Sequence, residues 1–269
     1  MTGYFTAEMI KKLQGDREIA RQQLDDLLTR YLSRTFNNAN AQDYARYGFC
    51  RRLRLLVHAI DFVYKILPPE REDIPEGHEV ADATMAMQSF VINTFGCLDN
   101  LAWILVYEKD VRGQNGEKLS REKVGFGKHC KELRESLSNE FRDYLDLRKP
   151  WLEHVKTSRD SLAHRIPHYI PPYIVLPESW DEYSRLEEAS GKAMRQRDAA
   201  AYDRLKSEQR KLGCFHLSMT HGPRDASSGV VVHAQLLADF FTIDEFGKKV
   251  LEELDRPARA TPPAPLGAG

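Results

Sequence analysis

Apolar residues recur at helical spacing through the first two-thirds of the chain. Residues 7–34 carry Ile10, Leu13, Ile19, Leu24, Leu27, Leu28, Tyr31 and Leu32 among charges, with Gly15-Asp16 as a candidate break. Residues 43–67 set Leu53, Leu56, Val57, Ile60, Val63, Tyr64 and Leu67 three or four apart, and Pro68-Pro69 stops that helix. A charged, turn-rich loop runs to Glu79. Residues 81–108 are apolar nearly all round: Phe90, Val91, Phe95, Leu98, Ala102 and Leu105 form a stripe, and Ile92, Trp103, Ile104 and Val106 fill other faces. A helix of that kind belongs at the centre of a bundle. Asn115-Gly116 marks a turn, residues 128–147 give a moderate helix, and Lys149-Pro150-Trp151 opens another with proline in its first turn. That helix ends near Arg165, because Ile166 precedes Pro167 and is biased out of the helical region.

The period then changes. Tyr169 to Val175 reads as extended chain, and residues 180–212 read as one charged amphipathic helix anchored by Tyr183, Leu186, Tyr202 and Leu205. Phe215, Leu217 and Met219 alternate with His216, Ser218 and Thr220, and a β-branched run follows from Gly229 to His233. The two runs flank Gly222-Pro223 and residues 225–228, which predicts a hairpin. A last helix covers about 234–254, and the Pro-, Ala- and Gly-rich tail from Pro257 reads as disordered. The expected architecture is mostly α. An antiparallel helical bundle occupies residues 1–166, a C-terminal extension with a small antiparallel β-sheet occupies 167–255, and a tail fills 256–269.

Composition narrows the partners. Of 269 residues, 42% are hydrophobic, enough to bury a sizeable core. Lys plus Arg is 39 against 40 for Asp plus Glu, so a generic basic coat for long nucleic acid is excluded. The local clusters Lys11-Lys12 and Arg51-Arg52-Leu53-Arg54 read as solvated helix faces. The longest apolar stretch, Phe90 to Tyr107, is interrupted by Asn93, Asp99 and Asn100, so no membrane span is expected. The early charges Glu8, Lys11 and Lys12 do not fit a signal peptide. Cys50, Cys97, Cys130 and Cys214 lie far apart without a CxxC, as expected of reduced thiols in a cytoplasmic protein.

One segment carries candidate chemistry: Ser158-Arg159-Asp160-Ser161-Leu162-Ala163-His164. Arg52 with His58 and Arg148 with His154 share a similar spacing, so context must distinguish the pair. Arg159 and His164 are separated by four residues on the last helix of the expected bundle, after its most apolar helix, with Asp160 directly following the arginine. In these features the chain resembles the HEPN superfamily over about residues 43–166. The resemblance implies a metal-independent endoribonuclease that needs no cofactor, acts on RNA and serves as a toxin or defence component. It also implies a homodimer whose cleft is built from both subunits. The implied catalytic residues are Arg159, His164 and Asp160, with Asp99 and Asn100 in support. The HxY extension of one toxin subgroup is absent, since Arg165 and Ile166 follow His164.

Helical geometry bears on the same residues independently. At ~100° per residue, Leu152, Val155, Leu162, Ala163 and Ile166 share a face, and Arg159 falls within it. A guanidinium there must pair with a carboxylate or sit at an interface, and Asp99 and Asp160 are at hand. His164 points ~140° away from Arg159 on a regular helix. The two converge only if the helix end distorts before Pro167 or if two copies of the helix meet. Given convergence, His164 suits proton transfer to and from ribose oxygens. Arg159 suits the phosphorane charge, and Asp160 or Asn100 orients either group. Three other readings stand beside this one. Arg159 is a bundle ion pair to Asp99, with His164 favouring the helix dipole. The chain is a non-catalytic helical module that binds a partner protein or a nucleotide. Or His164, His168, His216, His221 and His233 gather a metal, against the break that Pro167 imposes. Gly125-Phe126-Gly127 lacks the strand and helix of a nucleotide loop and reads as a turn. Trp151, Trp180 and Tyr173 read as packing anchors.

Overall fold

The computed structural model describes residues 5–220 and 230–256. Helix α1 (Ala7–Ser33) begins where Thr6 Oγ1 accepts a hydrogen bond from Met9 N at 3.2 Å, an N-cap. It runs through Gly15 without breaking; the glycine costs about 1 kcal/mol of helix propensity, and burial of Leu13, Ala20, Leu27, Leu28 and Tyr31 outweighs it. Helix α2 (Ala39–Asp43), a π-helical segment (Tyr44–Phe49) and α3 (Cys50–Ile66) follow one another without a gap. The rod ends at Leu67, ahead of Pro68-Pro69.

Helix α4 (Gly77–Glu108) starts with a capping box, Glu76 and Glu79 each bonding the other's backbone. Its length and hydropathy would suffice to cross a membrane, which the interrupted stretch Phe90–Tyr107 did not suggest. Instead, 61% of its most apolar window is buried in the protein, against α3, α10 and α7. One expected stripe neighbour, Ile92, is 40% exposed.

The helix expected over 128–147 is two: α5 (Lys131–Ser136) and α6 (Asn139–Leu147). Ser138 makes the break, its Oγ capping Phe141 N at 3.2 Å. Glu253 holds the same residue, accepting from Ser138 N (3.0 Å), Ser138 Oγ (2.6 Å) and Lys109 Nζ (2.6 Å). Helix α7 (Lys149–His164) has Pro150 in its first turn, as expected.

The single helix expected over 180–212 is also two, α8 (Trp180–Arg195) and α9 (Ala199–Lys211), packed chiefly on each other. Arg197 takes a left-handed φ of 60° at the turn. Asp198 then caps Ala201 N at 2.9 Å. Arg210 ties this pair to the body through Ile74 O and Pro75 O, each at 3.1 Å. Trp180, expected as an anchor, is 57% exposed on it.

Strand β1 (Ile174–Val175) pairs antiparallel with β2 (Gly213–Cys214). The expected hairpin is present as β3 (Ser218–Met219) and β4 (Val230–Val231), with Ser218 opposite Val231 and Met219 opposite Val230. The turn over 221–229 and the tail from Pro257 lie outside the described residues.

Helix α10 (Val232–Leu254), which the sequence places in the C-terminal extension, packs into the bundle core. Phe240, Ile243, Phe246 and Val250 are fully buried there, on α4, α1 and α3. The backbone approaches its neighbours closely at Gly247. A Cβ added to it would sit 2.8 Å from Leu27 Cδ2 and 3.1 Å from Phe49 Cζ. Tyr31 Oη donates to Gly247 O at 2.8 Å and its ring packs 4.7 Å from that of Phe49. Gly247→Leu should therefore cost about 1–3 kcal/mol by overpacking, read by urea denaturation.

Glu253 provides a pH test. Burial pushes its carboxyl up, but Lys109 and Ser138 outweigh burial and hold it below the ordinary value of 4.5. A lowered carboxylate stabilises the fold above its unfolded pKa and loses that contribution as pH falls through the folded one. Glu253→Gln should cost about 3 kcal/mol at neutral pH, as for a buried pair that loses one partner. The difference from wild type should close as pH falls below 4.5.

Candidate functional site

Helix α7 is fastened at its start. Trp151 Nε1 donates to Asp239 Oδ1 at 2.7 Å, and its ring lies 5.6 Å from Phe246. Burial pushes the Asp239 carboxyl up, against the bonds from Trp151 and Gln235. Along the helix, Val155, Ser158 and Ser161 are buried and Leu152 and Leu162 half-buried. Ala163 is exposed and Ile166 is 65% exposed, so the expected apolar face is displaced toward the serines. The reason is packing: α7 rests chiefly on α4, and Ser158 and Ser161 are small enough for close approach. Past the helix, Gln88 Nε2 donates to His168 O at 2.8 Å, which leaves 163–167 outside while His168 is buried.

Arg159 is held without a bundle ion pair. Its guanidinium lies over the Phe95 ring at 4.3 Å, and Nη1 meets its neighbour Asp160 Oδ1 at 3.1 Å. No ion pair joins it to Asp99 among the described residues, although the charge of Arg159 reaches that carboxylate. Burial pushes the Asp99 carboxyl up; Arg159, Arg121 and Arg52 oppose the shift. The Arg159 side chain is 31% exposed, and its Nε is buried without a partner.

Arg159 and Asp99 line a cavity of about 590 Å³ between α4, α6, α7 and the loop 124–129. Phe95, Leu98, Val124, Phe126, Leu145 and Leu152 make its apolar surface. Five cations, Lys128, Arg134, Lys149, Lys156 and Arg159, face three carboxylates, Asp99, Asp146 and Glu153. Arg134 is committed to Asp146 at 2.8 Å and Phe126 O at 3.1 Å, and Lys149 lies 3.5 Å from Glu153. Lys128 and Lys156 have no ion-pair partner among the described residues and are exposed. The cavity thus combines an apolar floor with a net cationic rim, which suits an anion carrying an apolar or aromatic body. Gly125-Phe126-Gly127, read from sequence as a turn, is part of its wall.

His164 stands apart. It is the last residue of α7, is exposed, and does not line the cavity. The helix is regular through His164 and becomes extended only at Arg165, so the end does not distort to bring the imidazole to Arg159. Asn100 belongs to another group: Arg52 Nε donates to its Oδ1 at 3.2 Å, and Arg52 Nη1 donates to Asn93 Oδ1 at 2.9 Å. Arg52 therefore turns inward, and the basic run at 51–54 is not simply a solvated face. The residues of that network pack closely: a Cβ on Gly48 would lie 2.8 Å from Asn100 Cγ.

Among the described residues no three His, Cys, Asp or Glu side chains converge on a metal position. His233 is fully buried, with Nε2 2.8 Å from Leu67 O, and burial pulls its pKa down to about 4. His221 lies outside the described residues. The cavity cations Lys128 and Lys156 were missed from sequence. Lys149, Lys156 and Arg159 lie within an ~80° arc of one helix face, a signal that was present. The approach of Lys128 from a loop had none.

Comparison with protein-family models finds no match, and neither the curated proteins nor the solved structures include one that matches this chain.

The setting of Arg159 fixes the size of its contribution. Arg159→Ala should destabilise by about 1 kcal/mol, the scale of a half-exposed cation–π contact and ion pair. A buried bundle ion pair would cost about 3–5 kcal/mol. Urea denaturation of the two proteins separates these values.

Proposed function

We propose that the chain is a metal-independent endoribonuclease of HEPN type that works as a homodimer. The observation that carries this reading is the state of Arg159. It is oriented on Phe95, lines a cavity with a cationic rim and is not consumed by Asp99. That is the arrangement a phosphate-gripping arginine needs. The regularity of α7 supports the dimer. Within one chain Arg159 and His164 diverge by ~140°, so the proposed cleft takes Arg159 from one subunit and His164 from the other. The exposed segment Ala163 to Ile166 is where the subunits would meet.

In that cleft His164 removes the proton from a ribose 2′-hydroxyl. The 2′-oxygen bonds to phosphorus while the bond to the 5′-oxygen breaks, and the same proton is returned to the leaving oxygen. Arg159 stabilises the phosphorane charge, and Asp160 at 3.1 Å fixes the guanidinium. The products are a 2′,3′-cyclic phosphate and a 5′-hydroxyl. A cytoplasmic toxin or defence role belongs to the same reading. Three of its four free thiols are buried, and burial pushes that of Cys50 up to about 11.

A specific observation favours a second reading. His164 does not reach the cavity of its own chain, so a non-catalytic module that binds a nucleotide or similar anion in that cavity would look the same. Cleavage of a mixed RNA pool in EDTA distinguishes them. The nuclease reading expects cyclic-phosphate ends and a loss of about 10²–10⁴-fold in rate for Arg159→Ala and for His164→Ala, with His164→Ala folding normally. Unchanged cleavage by a folded His164→Ala dimer would overturn it.

A further inference from the structure

Beyond Arg159, the stripe along α4 continues in aromatics. Phe95, Asp99, Trp103 and Tyr107 follow at steps of four, each displaced by ~40°, over ~18 Å of helix. Tyr44, from the π-helical segment, completes a cluster with the last two. The Tyr44 and Trp103 rings lie 5.7 Å apart at 28°, Trp103 and Tyr107 5.2 Å apart at 24°, and Tyr44 and Tyr107 5.6 Å apart at 35°.

All three rings are partly exposed. Tyr44 Oη, Tyr107 Oη and Trp103 Nε1 make no hydrogen bond to the described residues and are not among their buried unpaired atoms, so the tips reach solvent. The cluster thus presents aromatic surface and polar tips to solvent together.

Its electrostatic surroundings combine the Asp99 carboxylate with cations. The charge of Arg121 reaches both Tyr44 and Asp99. The charges of Arg159 and Arg52 also act on Asp99, although Arg52 is committed to Asn93 and Asn100. The next carboxylate, Glu108, is occupied by Asn37 N at 2.8 Å and Asn38 N at 3.2 Å. Near-parallel aromatic rings with Arg159 over Phe95 on the same helix and Arg121 close enough to act on Tyr44 offer what an unpaired strand requires: a π-face for a base and cations for its phosphates. A duplex, whose bases are already stacked, has no use for the rings.

We propose that the α4 stripe is a subsite for single-stranded RNA, with a nucleobase stacked on Tyr44, Trp103 and Tyr107 and the adjoining phosphates at Arg121 and Arg159. This deepens the ribonuclease reading, on which the identity of the strand rests. Because any base has a π-face, the subsite selects for single strands rather than for sequence.

The test uses a fluorescein-labelled 2′-O-methyl pyrimidine octamer, which binds but cannot be cleaved through its 2′-oxygen. Anisotropy reports binding and tryptophan emission reports stacking. Wild type should bind the single strand with saturable tryptophan quenching and show no quenching with the duplex. Trp103→Leu should weaken binding by about 5- to 150-fold and remove most of the quenching. Tyr44→Leu provides the same comparison from the opposite side of the cluster should Trp103→Leu fail to fold. Equal binding by folded variants would overturn the subsite and leave the ribonuclease reading standing. Stacking that is lost in the variants, in a protein that never cleaves ordinary RNA, would support the subsite and sink the nuclease. No binding by wild type would overturn the subsite and leave a protein as the occupant of the cluster.

Discussion

A 32-residue helix that is apolar on nearly every side has to be covered, and α4 imposes that requirement on the remainder of the chain. Helices α3, α10 and α7 meet it, with α10 returning from the far end of the sequence to do so. Stability and site follow from the same fact. Where α3 covers it the contact is tight: a Cβ on Gly96 would sit 2.5 Å from Arg52 Cζ. Between α7, α6 and the loop 124–129 the cover is incomplete, and a cavity opens beside Phe95 and Asp99. Toward Trp103 and Tyr107 the stripe stays partly open to solvent.

Polar groups placed against α4 show how that partial cover is tolerated. Asn93 and Asn100 are satisfied by Arg52, which crosses from α3. Glu253 is satisfied by Lys109 and Ser138, tying α10, the end of α4 and the start of α6 to one carboxylate. Asp99 is the exception. The charges of Arg159, Arg121 and Arg52 act on it, but none forms an ion pair with it among the described residues.

The helices with a long apolar period or bounding prolines were legible in the sequence: α4 by its period, α3 before Pro68, and α7 between Pro150 and Pro167. Breaks made by a single capping residue were not. Ser138 and Asp198 each sit inside a run whose average pattern still reads as helix, and only their side-chain bonds to Phe141 N and Ala201 N reveal the interruption. At the site, the pairing of Arg159 with Asp160 followed from adjacency. The inward turn of Arg52 did not, because its partners Asn93 and Asn100 lie more than 40 residues away. The cavity depends on a loop meeting α4, α6 and α7, a long-range event that local spacing does not encode.

The same helical period that made α7 legible separates its two functional candidates. Five residues on a regular helix leave Arg159 and His164 facing ~140° apart, so on the proposed reading neither chain holds a complete site. Mixing subunits tests this directly. Arg159→Ala and His164→Ala proteins, each inactive alone, would be unfolded together, refolded and assayed for RNA cleavage. A cleft shared across a two-fold axis predicts that half the dimers are mixed and that each mixed dimer regains one of its two sites, returning about a quarter of wild-type activity. No recovery in a mixture shown to contain mixed dimers would contradict the shared cleft.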